Sequence, residues 1–141
     1  MVGVLLNEPA LGCSCDKGPS SALDWLEVHD FVFEGRVLDV SPAEEPYPPA
    51  GPGAYRERTD VVFETTQAWK GTVTKRQVVR TDHGSCRYDF KVGESYLVYA
   101  RRDMWGAEVG TSMCSPNKPI TKASGDLRAF RRKLQPVPSH E

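Results

Sequence analysis

Apolar and polar residues alternate through most of the middle of this chain, whereas the spacing becomes helical only towards its two ends. Residues 18–27 read GPSSALDWLE, with Pro19 ahead of Ser21, a candidate N-cap, Asp24 three residues on, and Leu23, Trp25 and Leu26 as the apolar positions. That pattern predicts a short helix. Residues 30–40 (DFVFEGRVLDV) set Phe31, Phe33 and Val37 on one face against Val32, Glu34, Arg36 and Leu38 on the other, which predicts a strand. Gly35 in its middle marks an expected bulge. A second strand is predicted over 59–69, where Val61, Phe63 and Thr65 alternate, and Trp69-Lys70-Gly71 closes it with a turn. Further strands are expected at 77–81 (QVVRT), 95–100 (SYLVYA, entered through the turn Lys91-Val92-Gly93-Glu94) and, more weakly because of Gly110, 107–113. Ile120, Ala123, Leu127, Phe130 and Leu134 then fall at spacings of three and four, the mark of one helical face. Arg131, Arg132 and Lys133 suit the C-terminal end of that helix.

Between the first two strands, residues 41–58 hold five of the 11 prolines, so this stretch is expected to be a long exposed connection. No repeat period is present. Five short strands with a helix before and a helix after predict a mainly β domain, a five-stranded Greek-key barrel of the OB type. The domain is expected to span 13–134. Residues 1–12 read as an N-terminal extension and 135–141, with two prolines, as a disordered tail.

The chain has 141 residues, the size of one ordinary domain, and its 9% aromatic content excludes a disordered polymer. Net charge is −1, which disfavours a general nucleic-acid binder. The balance is uneven along the chain: residues 1–60 carry 11 acidic and four basic residues, and 61–141 carry eight and 14. Such a split predicts either opposed surface patches or ion pairing between the two halves. No apolar run approaches the ~18 residues that span a bilayer, so no transmembrane segment is expected. Residues 2–6 are an apolar stub without a basic flank, yet Ala10-Leu11-Gly12 places small residues where a signal peptidase reads them. Residues 1–12 therefore read as the remnant of a secretion signal, an overhang or an ordinary frayed terminus.

Four cysteines, Cys13, Cys15, Cys86 and Cys114, leave two disulfides or one metal site open. The C-x-C spacing of Cys13-Ser14-Cys15 lacks the two-to-four-residue gap of structural zinc sites, and this favours disulfides and no metal of the protein's own. A direct Cys13–Cys15 bond would be strained, which leaves two connectivities. Disulfides imply an oxidising compartment, so the expected location is secreted, extracellular or the cell envelope. An enzyme is disfavoured. His29 and His83 are the only histidines before the tail; His83 lies near Cys86, but a disulfide there removes the thiol, and a polar turn histidine is the expected role. No phosphate-binding glycine loop, H-E-x-x-H or G-x-S-x-G occurs, and no cofactor is expected. Tyr88, Phe90, Tyr96 and Tyr99 have strand spacing and read as core in preference to a base-stacking surface.

Taken in order, Cys13-Ser14-Cys15, the strand Phe31-Val32-Phe33-Glu34-Gly35-Arg36-Val37, Trp69-Lys70-Gly71, Ser85-Cys86-Arg87-Tyr88 leading through Gly93 into Tyr96-Leu97-Val98, and Thr111-Ser112-Met113-Cys114-Ser115 resemble the N-terminal domain of the tissue inhibitors of metalloproteinases, within the netrin-like superfamily. The likeness covers residues 13–134. It implies an OB-like five-stranded barrel strapped by Cys13–Cys86 and Cys15–Cys114. It further implies that Cys13, once N-terminal, chelates a partner protease's catalytic zinc through its free amine and carbonyl, while Ser14 faces the S1′ pocket and Cys13, Ser14 and Cys15 form the protease-binding edge. The 41–58 loop would correspond to the family's variable loop between the first two strands. This chain departs from the family's animal members in having only four cysteines and no second domain, so it resembles a stand-alone form. Asp16-Lys17-Gly18 replaces the inhibitors' apolar-Pro continuation. The implied partner is a zinc metalloprotease; the alternative is a non-inhibitory netrin-like module that binds another extracellular protein.

Overall fold

The computed structural model describes residues 14–43, 58–82 and 87–134. The expected extension over 1–12, Cys13, the centre of the 41–58 loop, Cys86 and the tail from 135 lie outside them. The elements run α1 (Ala22–Glu27), β1 (Phe31–Pro42), β2 (Thr59–Lys70), β3 (Arg76–Thr81), β4 (Ser95–Met104), β5 (Ala107–Gly110), β6 (Lys118–Pro119), a 3-10 turn (Ile120–Lys122) and α2 (Ser124–Lys133). Among the described residues the protein is mainly β, a six-stranded sheet with two α-helices. Neighbours in the sheet follow the order β1-β2-β3-β5-β4-β6, and β1 also pairs with β4. The pairings therefore return to β1. All of them are antiparallel except β3 with β5.

Closing the sheet on itself gives the strands two buried faces. Phe31, Phe33, Val37, Phe63, Val79, Tyr96, Val98 and Ala100 pack into one apolar cluster. Val32, Trp69, Leu97 and Tyr99 point the other way, where Leu127 and Phe130 of α2 and the apolar side of α1 cover them. This accounts for the unbroken apolar run at 96–100, because a strand covered on both faces has no need for polar alternation. Tyr96, Phe90 and Tyr99 are buried and Tyr88 packs against the first cluster, so these aromatics are core.

Helix α1 has only six residues and would not hold alone. Side chains cap it at both ends: Ser21 accepts from the Asp24 amide at 3.2 Å, and Lys70, reaching across from β2, donates to the carbonyls of Leu26 and Glu27 at 3.0 and 3.1 Å. The register of β1 against β2 slips between Glu34 and Gly35, the bulge anticipated from the sequence. Gly71 takes a φ of +81° where the chain leaves β2, and a Cβ there would collide with the Asp30 carbonyl and Phe31.

Three expectations need correction. The helical face counted from Ile120 is not one helix: its first turn is 3-10, Ala123 interrupts, and α2 starts at Ser124. The fifth strand ends at Gly110: the Thr111 amide still reaches the Arg80 carbonyl, but the Thr111 hydroxyl turns to the Tyr99 carbonyl and the chain continues into a loop. A sixth strand, Lys118–Pro119, pairs with β4 at Leu97 and Tyr96, and a two-residue strand containing proline leaves no periodic trace. Ion pairs join the two halves at Arg36–Glu64, Arg58–Asp82, Arg80–Asp60 and Arg102–Asp30, and the last two set a base of 61–141 against an acid of 1–60 and so offset part of the charge split.

Candidate functional site

Ser14 and Cys15 open the described chain, and residues 14–18 are all exposed. Cys15 is bonded to Cys114, with Cα atoms 5.4 Å apart across a separation of 99 residues. The bridge lays the N-terminal segment along the loop that follows β5. At the far end of the segment Gly18 lies so close to the Trp25 ring that any larger residue would collide with it. Met113, 40% exposed, stands beside Cys114. Together Ser14, Cys15, Met113 and Cys114 form an exposed ridge.

The ridge sits on a buried polar foundation. The Asn117 side chain accepts from the Tyr99 amide at 2.7 Å and donates to the Thr111 hydroxyl at 3.0 Å and the Ser112 carbonyl at 3.2 Å. Thr111 in turn donates its hydroxyl proton to the Tyr99 carbonyl at 2.6 Å. Ser112 closes the turn beneath Cys114: its hydroxyl accepts from the Cys114 amide and its carbonyl from the Ser115 amide. Each of these buried groups is satisfied, which holds the loop in one arrangement. Trp105 joins from the β4–β5 turn, donating to the Thr111 carbonyl at 2.8 Å while Arg58 stacks on its ring. Trp105 has a φ of +60°, a costly conformation for a bulky residue that these contacts hold in place.

His29 ties the same loop to α1. Its Nδ1 lies 2.9 Å from the Trp25 carbonyl, and a carbonyl only accepts, so Nδ1 carries the proton. Nε2 then accepts from the Ser115 hydroxyl at 2.9 Å. Burial pushes the His29 pKa below its usual value, and this outweighs the opposing effect of the hydrogen bond to the Trp25 carbonyl; nearby Arg101 and Lys70 also lower it and Asp30 raises it. A depressed folded pKa means that the unfolded chain takes up the proton first on acidification. The stabilising contribution of neutral His29 is thus complete above about pH 6.5 and is lost as pH falls below that value towards the folded pKa. Thermal melts taken between pH 7.5 and 5.5 should show decreasing stability in the wild type and a flatter profile in His29→Gln. Equal slopes would remove His29 as the cause.

Tyr99 completes the foundation on the α2 side. Its hydroxyl donates to Asp126 at 2.6 Å, and Lys118 meets the same carboxylate oxygen at 2.9 Å. Burial, followed by the Asp126 carboxylate, drives the Tyr99 pKa far upwards, so it remains a neutral donor.

Of the residues singled out from sequence, the structure brings Ser14, Cys15 and Cys114 together; Cys13, Cys86 and His83 lie outside the described residues. Among the described residues no group of three or more His, Cys, Asp or Glu is placed to hold a metal ion. No described helix is long and apolar enough to cross a membrane. Sequence reasoning missed Asn117, Thr111 and the His29–Ser115 contact, since a polar residue in a loop carries no mark of the partner it will meet. The assembly defines a mainly β, disulfide-bonded protein with an exposed N-terminal ridge. No known family model matches the chain, and a search of curated proteins finds no significant relative.

Proposed function

We propose that this chain is a secreted domain resembling the tissue inhibitors of metalloproteinases, which blocks a zinc metalloprotease through Cys13 once that residue is N-terminal. The observation that carries the reading is the Cys15–Cys114 bridge, which sets Ser14 on an exposed ridge over a fixed polar base. The strand order supports it. Pairings that run β1-β2-β3-β5-β4 and return to β1, with β3 and β5 parallel, fit a five-stranded Greek-key barrel of the OB type. In this reading the second strap is Cys13–Cys86.

The chemistry follows from the ligand preferences of a catalytic zinc. Such an ion keeps one position open for water, and a neutral α-amine with the adjoining carbonyl makes a five-membered chelate that displaces it. An amide nitrogen cannot substitute, so the residues before Cys13 must be removed. The amine binds only when deprotonated, and inhibition should strengthen as pH rises through about 7.7–8.0.

The test compares two purified forms, one beginning at Cys13 and one retaining residues 1–12, against a panel of zinc endopeptidases and a fluorogenic peptide. The Cys13-first form should inhibit, and both the longer form and the Cys13-first form with an acetylated amine should not. Equal inhibition by all three excludes the chelate. No inhibition by the Cys13-first form overturns the proposal and leaves the netrin-like interaction module, with its extracellular protein partner, in its place.

A further inference from the structure

We propose that the cleft between β3 and β5 binds an extended acidic peptide, which adds a strand along the outer edge of β3 and sets its carboxylates against Arg76 and Arg102. The two strands meet at a single parallel pair, Arg80 with Gly110, secured by the Thr111 amide donating to the Arg80 carbonyl at 2.9 Å. From that point they diverge towards their N-terminal ends, leaving a cleft of about 530 Å³ between Arg76, Gln77 and Val78 on one wall and Ala107, Glu108 and Val109 on the other. Phe31 lines the same cleft. None of Ser14, Cys15 and Cys114 lines it, so the site is independent of the ridge.

The register decides which backbone groups face the opening. The Lys75 carbonyl accepts from the Thr65 amide of β2, and the Arg80 carbonyl accepts from Thr111 on the other side. In an antiparallel ladder the direction alternates, so Arg76, Val78 and Arg80 turn their N–H and C=O groups away from β2. Two of these carbonyls already receive a donor from nearby side chains: Gln77 Nε2 donates to the Val78 carbonyl at 2.9 Å and the Thr74 hydroxyl to that of Arg76 at 3.0 Å. Among the described residues no side chain covers the N–H groups of Arg76 and Val78 in this way. The edge is therefore rich in donors and suits a strand that offers its carbonyls, while the second lone pair of the Val78 carbonyl can take an N–H in return.

Charge selects the side chains of that strand. Asp60 is occupied by Arg80 through hydrogen bonds of 2.8 and 3.1 Å. Arg76 makes no ion pair among the described residues, and the Arg102 guanidinium, which lies 5.1 Å from the Phe31 ring centre, meets the Asp30 carboxylate only at 3.8 Å with both side chains well exposed, although the Arg102 amide donates to that carboxylate at 2.7 Å. Arg76 is thus open to a carboxylate, and the exposed Arg102 guanidinium keeps N–H groups for a second one beside its stacking on Phe31. Glu108 on the opposite wall repels an acid there, which confines acidic side chains to the β3 and β4 side. Val78, 44% exposed and two residues from Arg76, shares its face and offers apolar contact to the stems of the acidic side chains.

The experiment uses the full chain and a fluorescein-labelled hexapeptide of alternating Glu and Val, blocked at both ends. Three comparisons accompany it: the Lys-Val counterpart, a Glu-Val peptide N-methylated at alternate residues, and a sulfated oligosaccharide of similar charge. Anisotropy should show saturable binding of the Glu-Val peptide and none of the Lys-Val form. Val78→Pro removes one outward N–H without touching the ladder to β2, and Arg76→Glu reverses the charge; each should weaken binding by about tenfold or more. If Val78→Pro does not fold, Arg76→Glu and the N-methylated peptide still decide the matter. Undiminished binding by Arg76→Glu, or by the N-methylated peptide, overturns strand addition. So does failure of the Glu-Val peptide to saturate, or a preference for the oligosaccharide, which would mark a surface for polyanions.

Discussion

Replacing Cys15 and Cys114 together by serine should lower stability by about 4 kcal/mol and the melting temperature by roughly 10–20 °C. The bridge joins residues 99 apart, and in the chain-entropy description the loss comes from the freedom that the unfolded chain regains over that length. The native side contributes little of the effect, since both cysteines are exposed and leave no cavity behind. Calorimetry of the double variant beside the oxidised and reduced parent measures it. A variant melting within a few degrees of the oxidised parent would show that the bridge constrains little. Amide exchange should rise over 112–116 in the same variant, because the ridge then loses its covalent tie to the N-terminal segment.

Asn117→Ala should cost about 3 kcal/mol. Three hydrogen bonds disappear at once, and the buried Tyr99 amide, at the centre of β4, is left without an acceptor. An unsatisfied buried donor costs more than the net gain from an ordinary hydrogen bond, and this raises the loss above that for a surface asparagine. Asn117→Asp separates the contributions. It retains the acceptor for Tyr99 but faces the Ser112 carbonyl and the Thr111 hydroxyl oxygen, whose proton already goes to Tyr99, with a second acceptor. Both variants should therefore move the urea midpoint to lower concentration with an unchanged slope. A loss below about 1 kcal/mol in Asn117→Ala would indicate that water takes over the Asn117 contacts.

Both substitutions act on the same platform. The disulfide fixes where the N-terminal segment lies, and Asn117 fixes the loop to which it is bound. If the ridge engages a protease, each should weaken inhibition through geometry while leaving the chemistry at Cys13 intact.

The sequence by itself determined the local elements of this protein. Alternation marked the strands at Phe33 and Phe63, a short β-rich run marked the one at Val98, Ser21 with Asp24 marked the start of α1, and Gly35 marked the bulge, because each signal depends on residues within a few positions of one another. It also made a bridge from the C-x-C segment an expectation, since a short C-x-C cannot close on itself. Tertiary structure decided the rest. That β4 returns to β1, that β3 and β5 touch at one pair and then part, and that Lys118–Pro119 adds a strand all depend on how distant segments share limited space. The platform beneath the ridge belongs to the same category. Asn117, Thr111 and His29 gain their roles only when burial removes water and each polar atom must find a partner in the fold.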